Sequence, residues 1–124
     1  MANNKFVFVV DDDFSMRMSI KRLLCAHGWG VLLFESVDAL FGHGDFGNAI
    51  CLVIDVNLGG RSGIELRRHL AEEGITAPVI YVTGNDSPTN RSAAIESGCI
   101  AYLTKPFTAQ SLIGSIELAR LGAA

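Results

Sequence analysis

The sequence predicts a three-layer α/β/α domain, a parallel five-stranded sheet covered on both faces by five helices. Three short apolar runs, Phe6–Val10, Ala49–Ile54 and Ala77–Val82, are continuous rather than alternating. Strands buried on both faces read this way, and each run is too short for a helix. Helical patterns fill the intervals between the runs, giving the alternation of right-handed βαβ units. With 124 residues, 49% of them hydrophobic, the chain is long enough to bury one core without disulfides.

The elements follow in order. Phe6–Val10 is the first strand. Phe14–His27 is a helix with Ile20, Leu23, Leu24 and His27 on one face, stopped by Gly28. Gly30–Phe34 is a weaker strand, and Ser36 caps a short helix through Phe41. Ala49–Ile54 is the third strand, and Ile64–Glu73 a helix with Leu66 and Leu70 four apart, ended by Gly74. After the fourth strand, Ala77–Val82, Pro88 opens a helix running to Ser97. Ala101–Leu103 is the fifth strand, and Thr108 caps a last helix carrying Leu112, Ile113, Ile116 and Ala119 on one stripe. No repeat or Pro/Ser-rich linker interrupts this series, so residues 1–124 read as one domain with no second, output domain.

Composition narrows the functions. A charged fraction of 19% and a mean hydropathy of +0.33 exclude a disordered chain. The net charge of −3, without a basic block, argues against nucleic-acid binding by this domain alone. Five apolar residues before Asp11 are too few for a leader, and no later run approaches a membrane span, so a soluble, cytoplasmic protein is expected. Cys25, Cys51 and Cys99 form no CxxC pair. Cys25 and Cys51 lie in apolar segments and read as small packing residues in a reducing compartment.

In open sheets of this kind ligands sit beyond the carboxyl ends of the strands. The first strand ends in Asp11-Asp12-Asp13, the third in Asp55 and the fourth in Thr83, and Lys105-Pro106 closely follows the fifth. A strand order of 2-1-3-4-5 brings these ends together. Clustered carboxylates need a cation among them, and an all-oxygen set suits Mg²⁺ before Zn²⁺. A cation site, a spare carboxylate, a hydroxyl and an ammonium are the parts of phosphoryl transfer to a carboxylate.

These residues resemble the receiver domains of two-component response regulators, of the CheY-like, flavodoxin-like fold, over nearly the whole chain from Phe6 to about Leu121. The resemblance rests on VVDDD at 9–13, IDVNLGGRSGIEL at 54–66, VIYVTG at 79–84 and AYLTKPF at 101–107, in this order and at these separations. It implies Asp55 as phosphoacceptor. It implies Mg²⁺ held by Asp12, by Asp11 directly or through water, by Asp55 and by the Asn57 backbone carbonyl. Thr83 matches the switch hydroxyl, Lys105 the phosphate-binding ammonium and Tyr102 the switch aromatic; the catalytic set is then Asp55, Lys105 and Thr83. A cis Lys105–Pro106 peptide is part of the pattern. The implied partners are a sensor histidine kinase or histidine phosphotransfer protein, a downstream protein or fused output domain, and a second copy in a homodimer. The segment 83–107 is similar to regulators that carry a helix-turn-helix output.

The chain departs from the pattern twice. Gly59 stands where the family usually has proline, and with Gly60 it predicts a mobile loop. Gly84 and Asn85 follow Thr83, and with Asn57 they bear on water access to the phosphate. Read singly, each residue has a plainer account: Asp13 as a helix-start acid, Thr83 as a strand residue, Lys105 as a loop lysine, Tyr102 as half-buried packing. His27, His43 and His69 read as surface or packing residues, and Arg61, Arg67 and Arg68 as a solvated loop and helix face. A haloacid-dehalogenase-type phosphatase would need an acid/base Asp where Asn57 stands. A flavin module would need a phosphate-cradling loop where Asp11–Asp13 stand. The expectation is a signalling phosphoacceptor rather than an enzyme, with only self-phosphorylation and slow autodephosphorylation.

Overall fold

The computed structural model describes residues 6–122; residues 1–5, part of the stretch weighed above as a leader, lie outside it, as do 123–124. The elements are β1 (Phe6–Val10), α1 (Phe14–Ala26), β2 (Gly30–Phe34), α2 (Val37–His43), β3 (Ala49–Asp55), β4 (Asn57–Leu58), β5 (Arg61–Ser62), α3 (Gly63–Glu72), β6 (Val79–Thr83), α4 (Pro88–Glu96), β7 (Ala101–Thr104) and α5 (Ala109–Arg120). The five-stranded sheet runs β2-β1-β3-β6-β7, all parallel, which is the expected 2-1-3-4-5 order of its five strands.

Alternation along the strands divides the core in two. Val7, Val9, Cys51, Val53, Ile80 and Val82 face α1 and α5, meeting Ile20, Leu24, Leu112 and Ile116. Phe8, Val10, Leu52, Ile54 and Tyr81 face the other layer, meeting Leu40, Leu66, Leu70 and Ala94. The sheet is thus apolar on both sides, which is why its strands carry no polar alternation.

Several boundaries differ from the reading of the sequence. β6 begins at Val79, not Ala77, because Pro78 has no N–H for the ladder and restricts Ala77. It ends at Thr83, and β3 ends at Asp55, so both polar residues close their strands as the sequence reading had them. Cys25 is exposed, not packed in the core; it follows the buried Leu24 and is turned about 100° around the helix from it. Cys51 is buried, and burial pushes its thiol pKa up to about 12. Arg67 does not belong to a solvated face: it is half-buried, its Nε enclosed without an acceptor among the described residues.

The loop after Asp55 has regular structure. It is a two-residue hairpin in which Asn57 pairs with Ser62 and Leu58 with Arg61. Gly59 and Gly60 form its turn with φ of +55° and +91°, and Leu58 is buried. Positive φ at both central positions is the type I′ form of a two-residue hairpin, which glycine adopts without strain.

Gly63 fixes where α3 begins. Its N–H donates to the Val56 carbonyl at 2.7 Å, and a Cβ there would lie 2.2 Å from the Asp55 carbonyl oxygen and 2.7 Å from Ile54 Cγ2. Backbone cannot yield at such distances. Gly63→Ala is therefore expected to cost about 2 kcal/mol or more, read as a lowered urea midpoint at an unchanged slope.

Candidate functional site

Parallel register assembles the site. Val10 is level with Ile54, so the next residues, Asp11 and Asp55, leave adjacent strands side by side. Asp55 is level with Val82, and Thr83 with Thr104, which puts Thr83 and Lys105 just beyond them. Asp11, Asp55 and Thr83 are buried and Asp12 is exposed. Carboxylate oxygens of Asp11, Asp12 and Asp55 lie within 4.8 Å of one another.

Each buried carboxylate is held on both oxygens. Asp11 Oδ1 accepts from the Asp13 amide at 2.9 Å, and Asp55 Oδ1 accepts from the Asn57 amide at 2.9 Å. Their Oδ2 atoms share Lys105, whose Nζ donates to Asp55 at 2.9 Å and Asp11 at 3.1 Å. The Lys105–Pro106 peptide is cis, as the resemblance implied. One ammonium thus bridges the two buried carboxylates, and the third, Asp12, has no cation bonded to it among the described residues. Burial, reinforced by the charge of Asp55, raises the Asp11 pKa against the opposing Asp13 amide and Lys105. Burial works to lower the pKa of Lys105, but its bond to Asp55 and the charges of Asp11 and Asp55 prevail and raise it above its ordinary 10.5.

The cluster fits a hard divalent cation: its donors are oxygen alone, and its negative charge exceeds what Lys105 offsets. The other expected residues lie around this cluster. Asn57 is exposed on the hairpin next to Asp55. Thr83 Oγ1 accepts from the Asn85 amide at 3.0 Å. A Cβ on Gly84 would touch Lys105 Cδ at 3.8 Å. Asp13 is the N-cap of α1, accepting from the Met16 amide, and takes no part in the cluster.

Tyr102 is half-buried and tied to the β6–α4 segment. Its hydroxyl donates to Asp86 Oδ1 at 3.0 Å, while the Arg91 guanidinium lies 4.8 Å from the ring centroid and donates to Asp86 Oδ2 at 2.9 Å. The sequence reading missed this triad; an acid and a base five apart across a helix start gave no signal of the tyrosine between them. It also missed Arg17, one turn into α1, whose NH1 donates to the Asp11 carbonyl at 2.7 Å and steadies the strand end. The histidines stand apart from the cluster. His43 packs on Phe8 and Phe34, His69 on Phe41, and His27 bonds the Leu23 carbonyl.

The electrostatics have a pH signature. Because the folded Lys105 pKa lies above its ordinary value, its contribution is complete below pH 10.5 and is lost as pH rises through the folded value. The stability difference between wild type and Lys105→Met is therefore expected to narrow above that pH, measured by urea unfolding across an alkaline series.

The comparisons with known proteins agree with this geometry. The model of the response regulator receiver domain matches residues 7–117. Nodulation protein W of Bradyrhizobium diazoefficiens is 35% identical over 118 residues, covering 95% of this chain and 52% of that protein. The transcriptional regulatory protein FixJ of the same organism is 35% identical over 123 residues, covering 96% of this chain and 58% of that protein. The crystal structure of FixJ-N superposes with a TM-score of 0.88 at 29% identity, covering 99% of this chain and 98% of that one. The chain spans about half the length of the curated relatives it matches. Family model, relatives and fold coincide on the same residues, and the chain belongs to the response regulator receiver domain family, whose function is to accept a phosphoryl group in two-component signalling.

Proposed function

We propose that Asp55 is the phosphoacceptor of this receiver and that Asp11, Asp12, Asp55 and the Asn57 backbone carbonyl hold Mg²⁺. The observation that carries the reading is the convergence of three carboxylates within 4.8 Å of one another, with a single ammonium, Lys105, bonded to the two buried ones. In the proposed step an Asp55 carboxylate oxygen attacks the phosphorus of a phosphohistidine on a sensor histidine kinase or a histidine phosphotransfer protein. The P–N bond breaks, its electron pair returns to the imidazole, and an acyl phosphate remains on Asp55. Mg²⁺ supplies charge neutralisation for the phosphoryl oxygens when bound. Lys105 binds one such oxygen and the Thr83 hydroxyl donates to another, so Asp55, Lys105 and Thr83 form the reacting set.

Switching follows from the same groups. As Thr83 moves toward the phosphoryl group, Tyr102 turns into the space it leaves and gives up its bond to Asp86. The surface of α4, β7 and α5 is thereby reshaped. Moving the population from 1:99 to 99:1 takes about 5.5 kcal/mol of preference for the switched state, within reach of a few charge-assisted hydrogen bonds. Ile95 on α4 and Leu118 on α5 are exposed, which suits that surface to a downstream protein, a fused output domain or a second copy. No helix among the described residues is long and apolar enough to cross a membrane, and the reading places the protein in the cytoplasm, as a phosphoacceptor rather than a turnover enzyme.

The test is incubation with acetyl phosphate and Mg²⁺ followed by intact-mass measurement. One added phosphoryl group is expected, released by hydroxylamine, absent in Asp55→Asn and absent with EDTA. Continuous hydrolysis of many phosphate esters, or an adduct that survives in Asp55→Asn, would overturn the assignment. Thr83→Ala is expected to keep the adduct but slow its formation by about a hundred-fold, the scale of losing one oxyanion donor, measured by the time course of the mass gain.

A further inference from the structure

We propose that the Gly59–Gly60 turn is a positioning element of the acidic site, whose left-handed backbone holds Asn57 in place and leaves Asp12 its space, so that a divalent cation can use both. The inference rests on the reading of Asp11, Asp12 and Asp55 as the Mg²⁺ site. The turn closes the β4–β5 hairpin, and the hairpin begins two residues after Asp55. On its near side the Asn57 amide bonds Asp55 Oδ1 at 2.9 Å. On its far side the Gly63 amide bonds the Val56 carbonyl at 2.7 Å. Leu58, buried between them, anchors the hairpin in the α2–α3 side of the core. The backbone that carries the Asn57 carbonyl is therefore fixed from both ends, and the two positive φ values are what allow so short a closure.

The turn also reaches across to the β1 end of the site. A Cβ on Gly59 would stand 3.4 Å from Asp12 Oδ2, so position 59 forms the wall beside the one exposed carboxylate of the cluster. Glycine leaves that oxygen its space. Proline at position 59, the residue common in the family there, has φ fixed near about −65° and cannot adopt +55°. In this chain it would open the hairpin instead of stiffening it. Asparagine tolerates the left-handed region and would keep the turn while placing a Cβ at van der Waals contact with Asp12.

The experiment compares the wild-type chain with Gly59→Pro, Gly59→Asn and Gly60→Ala. Two readouts are taken: Mg²⁺ affinity by calorimetry, and amide hydrogen exchange of Asn57 and Gly63 in EDTA. Gly59→Asn is expected to bind Mg²⁺ within about three-fold of wild type, since it can hold the turn. Gly59→Pro is expected to bind about ten-fold or more weakly, the scale seen when a group supporting a metal ligand is lost, and to exchange both amides about ten-fold faster. Gly60→Ala, strained only by its φ, serves if the proline variant does not fold, and is expected to fall between the two. Cooperative thermal unfolding, with β1 and β6 amides still protected, separates loss of position from loss of fold. Wild-type affinity and protection in Gly59→Pro would overturn the inference while leaving the metal site standing. A wild type that takes up no Mg²⁺ would instead overturn the site reading itself, whatever the exchange rates show.

Discussion

The structure turns on one electrostatic imbalance: three carboxylates brought within 4.8 Å at the end of a parallel sheet, with one lysine ammonium among them. Register forces it. Once Val10 is level with Ile54, Asp11 and Asp55 leave neighbouring strands together, and neither can withdraw without slipping a buried ladder. The apolar sheet beneath is therefore the scaffold that opposes the repulsion. Lys105 bridges the two buried acids because β7 ends beside β6, and its raised pKa reflects the charge it offsets. What remains is negative charge on all-oxygen donors, a disposition suited to a hard cation and to an incoming phosphoryl group.

Backbone constraints decide how firmly that charge is held. Gly63 lets the start of α3 lie against the Asp55 carbonyl, and the hairpin between them leaves no slack in the loop. Arg17 fixes the Asp11 carbonyl from the first turns of α1, while the Asp13 cap starts that helix beside the site. On the opposite flank Tyr102 is joined to α4 through Asp86 and Arg91, which links the site's β6 edge to the surface of α4 and β7. The rigid and the re-arrangeable parts are thus spatially separate: glycine turns and buried amides around Asp55, exposed side-chain bonds around Tyr102.

Much of this was legible from residue types. Continuous apolar runs marked every central strand because both faces are covered, and polar residues at strand ends marked the site because only there can charge reach solvent. The sheet order came with the resemblance to receiver domains, since alternation of strands and helices alone fits more than one order. Other features had no local signal. Two adjacent glycines read as slack, yet they form the turn of a two-residue hairpin whose arms pair Asn57 with Ser62 and Leu58 with Arg61. Cys25 read as core from its apolar neighbours, but a single residue's turn around α1 put it in solvent. The Asp86–Arg91–Tyr102 triad joins residues 16 apart in sequence, and Arg67 is enclosed by packing that no periodicity announces.

The central claim, that excess carboxylate charge at this edge is what a divalent cation balances, is tested most directly by unfolding the protein at increasing Mg²⁺ under constant ionic strength. A ligand bound only by the folded state adds stability by RT ln(1 + [L]/Kd), about 2.7 kcal/mol at a hundred times Kd. The account predicts a saturable rise in the unfolding midpoint with Mg²⁺ that Asp12→Ala largely removes. A midpoint indifferent to Mg²⁺, or one that rises equally in Asp12→Ala, would contradict it.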